Sequence, residues 1–156
     1  MSYGEPQRPL LFEEFKVGDR YTSPGYTFTE AAIIDFAFQY DPQLFHLDVV
    51  AAKETIYGGL IASGFHTLCV AFRLVNQSGL PRFNVGGKGI DEVRWIKAVR
   101  PGDTLHVGVE VVEAVASRMA DRGNVKLKYT ALNQAGEPVL TALLNHMIRP
   151  RAGKAA

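Results

Sequence analysis

Apolar positions along this chain change their period near residue 80. Before it they recur at helical spacing. Ile33, Phe36, Ala37 and Tyr40 follow the i, i+3, i+4, i+7 pattern of one buried helix face. Thr29 is the expected N-cap, and Glu30 places an acid in the first turn, where the helix dipole favours it. Pro42 stops this helix, because proline pushes the residue before it, Asp41, out of the α region. A short helix is expected over Val49–Glu54, capped by Asp48. From Ala62 to Gln77 the chain is apolar on nearly every side, including Phe65, Leu68, Cys69, Val70 and Phe72. That pattern predicts a helix wrapped by other elements, with Cys69 in the core. Ser78-Gly79-Leu80-Pro81 ends it.

Beyond residue 80 the pattern alternates. Ile90–Ile96 reads as a strand, followed by the turn signal Arg100-Pro101-Gly102-Asp103. Leu105, Val107, Val109 and Val111 alternate with Thr104, His106, Gly108 and Glu110, which predicts a half-exposed strand. Val125, Leu127 and Tyr129 repeat the pattern, and a turn over Asn133–Glu137 leads into Val139–Ile148. That last run is apolar on both faces and is expected inside a sheet. Tyr21–Phe28 is a weaker candidate that would complete the sheet. Hairpin-linked strands after a buried helix predict an α+β domain, an antiparallel β-sheet packed on that long helix.

Composition narrows the function classes. With 156 residues the chain is long enough for one domain with a substantial core. A formal net charge of +1 gives no electrostatic basis for binding nucleic acid or an anionic membrane. One cysteine excludes an intrachain disulfide and a multi-cysteine metal site, and fits a reducing, cytoplasmic setting. The longest apolar stretch, 65–75, is too short to span a bilayer and contains Arg73. Four scattered histidines predict no metal centre. The ends, 1–14 and 150–156, read as an extension and a flexible tail around a domain at 15–149.

Candidate chemistry concentrates between residues 40 and 64. Tyr40-Asp41-Pro42-Gln43-Leu44-Phe45-His46-Leu47-Asp48 sets an acid and an imidazole on one Pro-bearing loop, where they can hold a single water between them. Taken alone, Asp41 could equally be a turn residue and His46 a structural loop histidine. The pair together, just ahead of a glycine-led helix, favours catalysis. Tyr57-Gly58-Gly59-Leu60-Ile61-Ala62-Ser63-Gly64 opens that helix, whose free N–H groups can face a developing oxyanion. His66 lies about 200° round the helix from Gly64 and is expected to face elsewhere. It, His106 and His146 are read as structural. Gly86-Gly87-Lys88-Gly89 lacks the spacing of a phosphate-binding loop and is read as a flexible loop.

These landmarks resemble the MaoC-like dehydratases, the hot-dog-fold R-specific enoyl-CoA hydratases. That family's loop runs Asp-x-Asn-Pro-x-His-x-Asp, followed by Phe-Gly, then Ile-Ala-His-Gly, and later a Pro-Gly-Asp turn. Asp41, His46, Asp48, Tyr57-Gly58, Ile61-Ala62-Ser63-Gly64 and Pro101-Gly102-Asp103 fall at matching places over residues 17–148. Gln43-Leu44 replaces Asn-Pro, and Ser63 stands where a histidine is frequent.

The resemblance implies reversible hydration of a trans-2-enoyl-CoA, with Asp41 and His46 catalytic and Gly64 and Ser63 at the substrate carbonyl. It implies an acyl pocket, for which Phe36, Tyr40, Phe45, Leu60 and Phe65 are candidates, and coenzyme A phosphates met by Lys88, Arg94 and Lys97. No separate cofactor is implied, since coenzyme A belongs to the substrate. A homodimer or dimer of dimers is expected, with the acyl tunnel near the interface. A hot-dog thioesterase and a non-catalytic acyl-CoA-binding protein are the competing expectations.

Overall fold

The computed structural model describes residues 8–151. In chain order the elements are β1 (Arg20–Thr22), β2 (Tyr26–Thr27), α1 (Glu30–Tyr40), α2 (Leu44–Leu47), α3 (Gly64–Gln77), β3 (Asn84–Trp95), β4 (Thr104–Ala116), β5 (Gly123–Leu132) and β6 (Pro138–Ile148). The sheet is antiparallel with order β1-β4-β5-β6-β3, and β2 adds to β4. It curves round α3, the hot-dog arrangement.

The period-2 runs explain the core. Val107, Val111, Leu127, Tyr129, Ala131, Leu140 and Ile148 are fully buried on the inner face of the sheet, in one cluster with Val70, Ala71, Leu74 and Val75 of α3. Each large apolar side chain buried this way stabilises the fold by about 1.5–3 kcal/mol. α1 starts where expected, with the Thr29 hydroxyl accepting from the Ala32 N–H at 3.1 Å. The Asp48 carboxylate accepts from the N–H groups of Val50 and Ala51, and the turn that follows is a 3-10 helix over Ala51–Glu54.

Several expectations are corrected. α3 begins at Gly64 and is wrapped on one side only. Phe65 and Phe72 are partly exposed, and Cys69 is exposed rather than in the core, because the sheet of a single chain covers one face of the helix. Gly86–Gly89 is not a loop. It belongs to β3, which starts at Asn84 and pairs with β6 through repeated register shifts, and side-chain-free glycines tolerate such irregular pairing. The loop carrying His46 contains the helical turn α2, which the sequence pattern did not suggest.

The folded body also starts before residue 15. Leu10 is buried, Phe12 packs against the core, and the Phe12 N–H donates to the Arg149 carbonyl at 3.0 Å. The outer parts of the expected extension and tail, 1–7 and 152–156, lie outside the described residues.

Candidate active site

Asp41 is the C-cap of α1, set there because Pro42 ends the helix, and its non-helical backbone turns the carboxylate toward the start of α3. One turn of α2 then carries His46 back beneath it. The Asp41 Oδ2 and His46 Nε2 atoms lie 3.4 Å apart, and His46 is 4% exposed.

The other ring nitrogen fixes the chemistry. His46 Nδ1 is 2.8 Å from the Ile61 carbonyl oxygen. A carbonyl can only accept, so Nδ1 carries a proton, and in the neutral ring Nε2 is the lone-pair atom. That lone pair faces the cavity beside a carboxylate and is placed to take a proton from water.

Asp41 is held on both oxygens. The Ser63 hydroxyl donates to Oδ2 at 2.6 Å, and the Gln43 amide donates to Oδ1 at 2.8 Å. Burial pushes the Asp41 carboxyl up, but these two hydrogen bonds and the neighbouring His46 outweigh it and hold the group below its ordinary value of 3.8. Ser63 is also the N-cap of α3, since its hydroxyl accepts from the Phe65 N–H at 3.1 Å. One hydroxyl therefore ties the acid to the helix start. The Gly64 N–H, next in line, has no hydrogen-bond partner among the described residues.

A cavity of about 450 Å³ opens onto these groups. Asp41, Gln43, His46 and Gly64 line it together with Phe45, Tyr57, Ile61, Phe65, Thr67, Trp95, Ile96 and Val99. Phe45 and Phe65 are the acyl-pocket candidates that reach it. The other three sit elsewhere. Phe36 stacks on His66 at 4.6 Å between ring centres, Leu60 is buried in the core cluster, and Tyr40 is 69% exposed. Tyr40 matches the helical period, but it occupies the last turn of α1, beyond the reach of the core.

The candidate phosphate contacts also separate. Lys97 lines the cavity and pairs with Glu137 at 2.5 Å. Arg94 is exposed and donates to the adjacent Val93 carbonyl. Lys88 lines a second, smaller cavity of about 200 Å³ with Glu113, Asn124 and Lys126, so it does not join the Asp41–His46 site.

Sequence reading missed Gln43, Tyr57, Thr67 and Trp95 as cavity residues. Gln43 had a signal in its place two residues after Asp41. Trp95 had one as the single tryptophan of the chain. Tyr57 had one in its place within the Tyr57-Gly58 landmark, which marks a motif position but not a cavity wall. Thr67 had no local signal, because the packing of the first turn of α3 brings it to the cavity. His66 lies away from the cavity, between Phe28 and Phe36, as its helical angle predicted. Among the described residues no group of three His, Cys, Asp or Glu side chains could hold a metal ion. No helix among them is long and apolar enough to cross a membrane.

An antiparallel sheet wound on one helix, with an acid–imidazole pair at that helix's N-terminus, defines a hot-dog protein built around a buried polar site. The chain belongs to the MaoC-like domain family, whose model matches residues 14–134. A solved MaoC-like dehydratase from Rhodospirillum rubrum is 40% identical, covers 91% of this chain and 98% of its own, and superposes with a TM-score of 0.84. Protein MaoC of Klebsiella aerogenes is 35% identical over 97 residues, 62% of this chain. Mesaconyl-CoA hydratase of Cereibacter sphaeroides is 35% identical over 85 residues, 53% of this chain. The matches span only 29% and 25% of the lengths of these two proteins.

Proposed function

We propose that this protein catalyses the reversible hydration of a trans-2-enoyl-CoA to an R-3-hydroxyacyl-CoA. The observation that carries the reading is the buried His46 Nε2, held 3.4 Å from an ionised Asp41 at the mouth of the cavity that Gly64 lines. Family membership and the hydratase among the relatives support it.

In this reading one water is bound between Nε2 and the Asp41 carboxylate. His46 takes a proton as the hydroxyl adds to the β-carbon, and the charged Asp41 stabilises the imidazolium that forms. Negative charge moves to the thioester oxygen, where the Gly64 N–H meets it. A single such donor contributes about 3 kcal/mol in acyl chemistry. The pair then returns a proton to the α-carbon. Atoms balance without a separate cofactor, and coenzyme A enters as part of the substrate, its phosphates near Lys97 and Arg94.

The test is an assay of the purified chain against linear, branched and dicarboxylic enoyl-CoAs. Loss of the enoyl absorbance with formation of the R product is expected. Release of free coenzyme A thiol at constant enoyl absorbance would replace the reading with thioester hydrolysis. Tight acyl-CoA binding without turnover would reduce it to a carrier.

The assembly belongs to the same reading. β3 is an edge strand, and Val85, Ile90 and Trp95 on it, with Phe65 and Phe72 on α3, are between 41% and 57% exposed. An open edge beside apolar side chains favours pairing with a second copy. Sedimentation at micromolar concentration should give at least twice the 17.1 kDa chain mass. A monomer there would contradict the dimer.

A further inference from the structure

The single tryptophan of the chain ends β3 at the rim of the cavity, where it pairs in register with Leu140. Its ring meets the edge of Phe65, with 5.7 Å between centres and 70° between planes. The same ring occupies the space a side chain at Gly64 would need. A Cβ there would fall 2.6 Å from Cε2 and 2.8 Å from Cδ1 of Trp95, with the indole nitrogen between them. Only glycine allows this approach.

Two geometric facts follow. Within a helix the Cα–Cβ direction tilts toward the N-terminus, and the free N–H groups of the first turn point the same way. The indole nitrogen therefore lies beside the N–H of Gly64. Both ring neighbours of the nitrogen lie within 2.8 Å of the Cβ position, closer than any point in line with the N–H could be at this approach, which puts Gly64 against the face of the ring and not its N–H edge. The N–H lies in the ring plane and stays open to the side. An indole N–H can only donate, and this one has no partner among the described residues.

We propose that Trp95 donates its indole N–H to the substrate's thioester carbonyl, as a second donor beside the Gly64 N–H. The inference rests on the hydratase reading for its substrate class and goes beyond it by naming the second donor. Two donors fix the carbonyl in direction as well as position, so the enoyl plane is presented to Asp41 and His46 at one angle. The bond strengthens as the oxygen gains charge, and its loss falls on kcat more than on KM.

Trp95→Phe keeps an aromatic ring on Gly64 and removes the donor. Because Trp95 also lies on the edge proposed to pair with a second copy, circular dichroism checks the fold of the variant and sedimentation checks its assembly. The expected result is a kcat lowered about tenfold with KM within a factor of two, consistent with a hydrogen bond to a developing charge. A kcat within twofold of the unmodified protein overturns the proposal while leaving the hydratase reading intact.

A second measurement needs no turnover. Because Trp95 is the only tryptophan, the indole N–H band in ultraviolet resonance Raman spectra reports on it alone. Saturation with butyryl-CoA should move the band toward stronger hydrogen bonding, and free coenzyme A, which lacks the carbonyl, should not. An equal response to both, or to neither, overturns the proposal. If no enoyl-CoA is hydrated but butyryl-CoA alone moves the band, the reaction is wrong and the donor stands.

Discussion

Asp41→Asn and His46→Asn are each expected to lower kcat for enoyl-CoA hydration by about a hundred- to ten-thousand-fold, the range that positioned acid–base groups contribute. Both replacements are chosen to keep the surrounding bonds. Asparagine at 41 retains an oxygen for the Ser63 hydroxyl, which donates at 2.6 Å; its amide nitrogen replaces the oxygen that accepts from Gln43 and is met again once the Gln43 amide turns its own oxygen toward it. Asparagine at 46 can still donate to the Ile61 carbonyl, now met by Nδ1 at 2.8 Å, and lacks Nε2. Alanine at 46 would leave that buried carbonyl without its donor, which costs about 1–3 kcal/mol and mixes stability into the kinetics. Melting curves close to that of the unmodified protein, with activity lost, would assign the effect to chemistry. Near-normal hydration by either variant would sink the proposed role of the pair.

Stability should fall steeply as the solution is acidified from pH 6.5 toward pH 4, and the decline should begin above about pH 5, before the carboxylates are protonated. His66 and His146 are 6% and 3% exposed, and each has a buried Nδ1 without a hydrogen-bond partner among the described residues. Burial lowers both from 6.5 to about 4. His66 is enclosed by the rings of Phe28 and Phe36, and His146 Nε2 lies 3.3 Å from the hydroxyl of Tyr129, which burial keeps protonated. None of these neighbours compensates a positive charge.

The sign follows from proton counting. Between these limits the unfolded chain binds more protons than the folded one, so stability rises with pH. The contribution is complete above about pH 6.5 and is lost as pH falls toward 4. Each histidine adds a slope of up to about 1.4 kcal/mol per pH unit. Urea midpoints measured across this range should show the decline, and His66→Phe should remove about half of it. A midpoint unchanged between pH 7 and pH 5 would mean that the folded state accommodates both charges.

Much of the candidate site was legible because its first parts are local. The spacing of Asp41 and His46, the stop at Pro42 and the glycine-led helix are properties of one segment, and the structure keeps all three. The weaker inferences failed where periodicity was asked to report on burial. Tyr40 and Cys69 fit an apolar pattern, yet a pattern gives the direction of a side chain and not what lies opposite it. Lys88 is a candidate phosphate contact by its charge alone. The irregular register of β3 on β6 carries it to a different cavity.

By itself, the sequence determined the long helices α1 and α3, the regular strands β4 to β6, the switch from a 3.6-residue to a 2-residue period, and the acid–imidazole loop. All of these depend on neighbours a few residues away. Tertiary structure decided the rest of the chemistry. The Ser63 hydroxyl reaches Asp41 across 22 positions, the Ile61 carbonyl fixes the tautomer of His46 from 15 positions away, and Trp95 lies over Gly64 from the end of another element. The first two depend on how the helices pack; the third depends on sheet register, and β3 shifts register between Asp91 and Arg94, just before Trp95. A one-residue difference in that pairing turns a side chain to the opposite face of the sheet, so no local pattern in the sequence could place it.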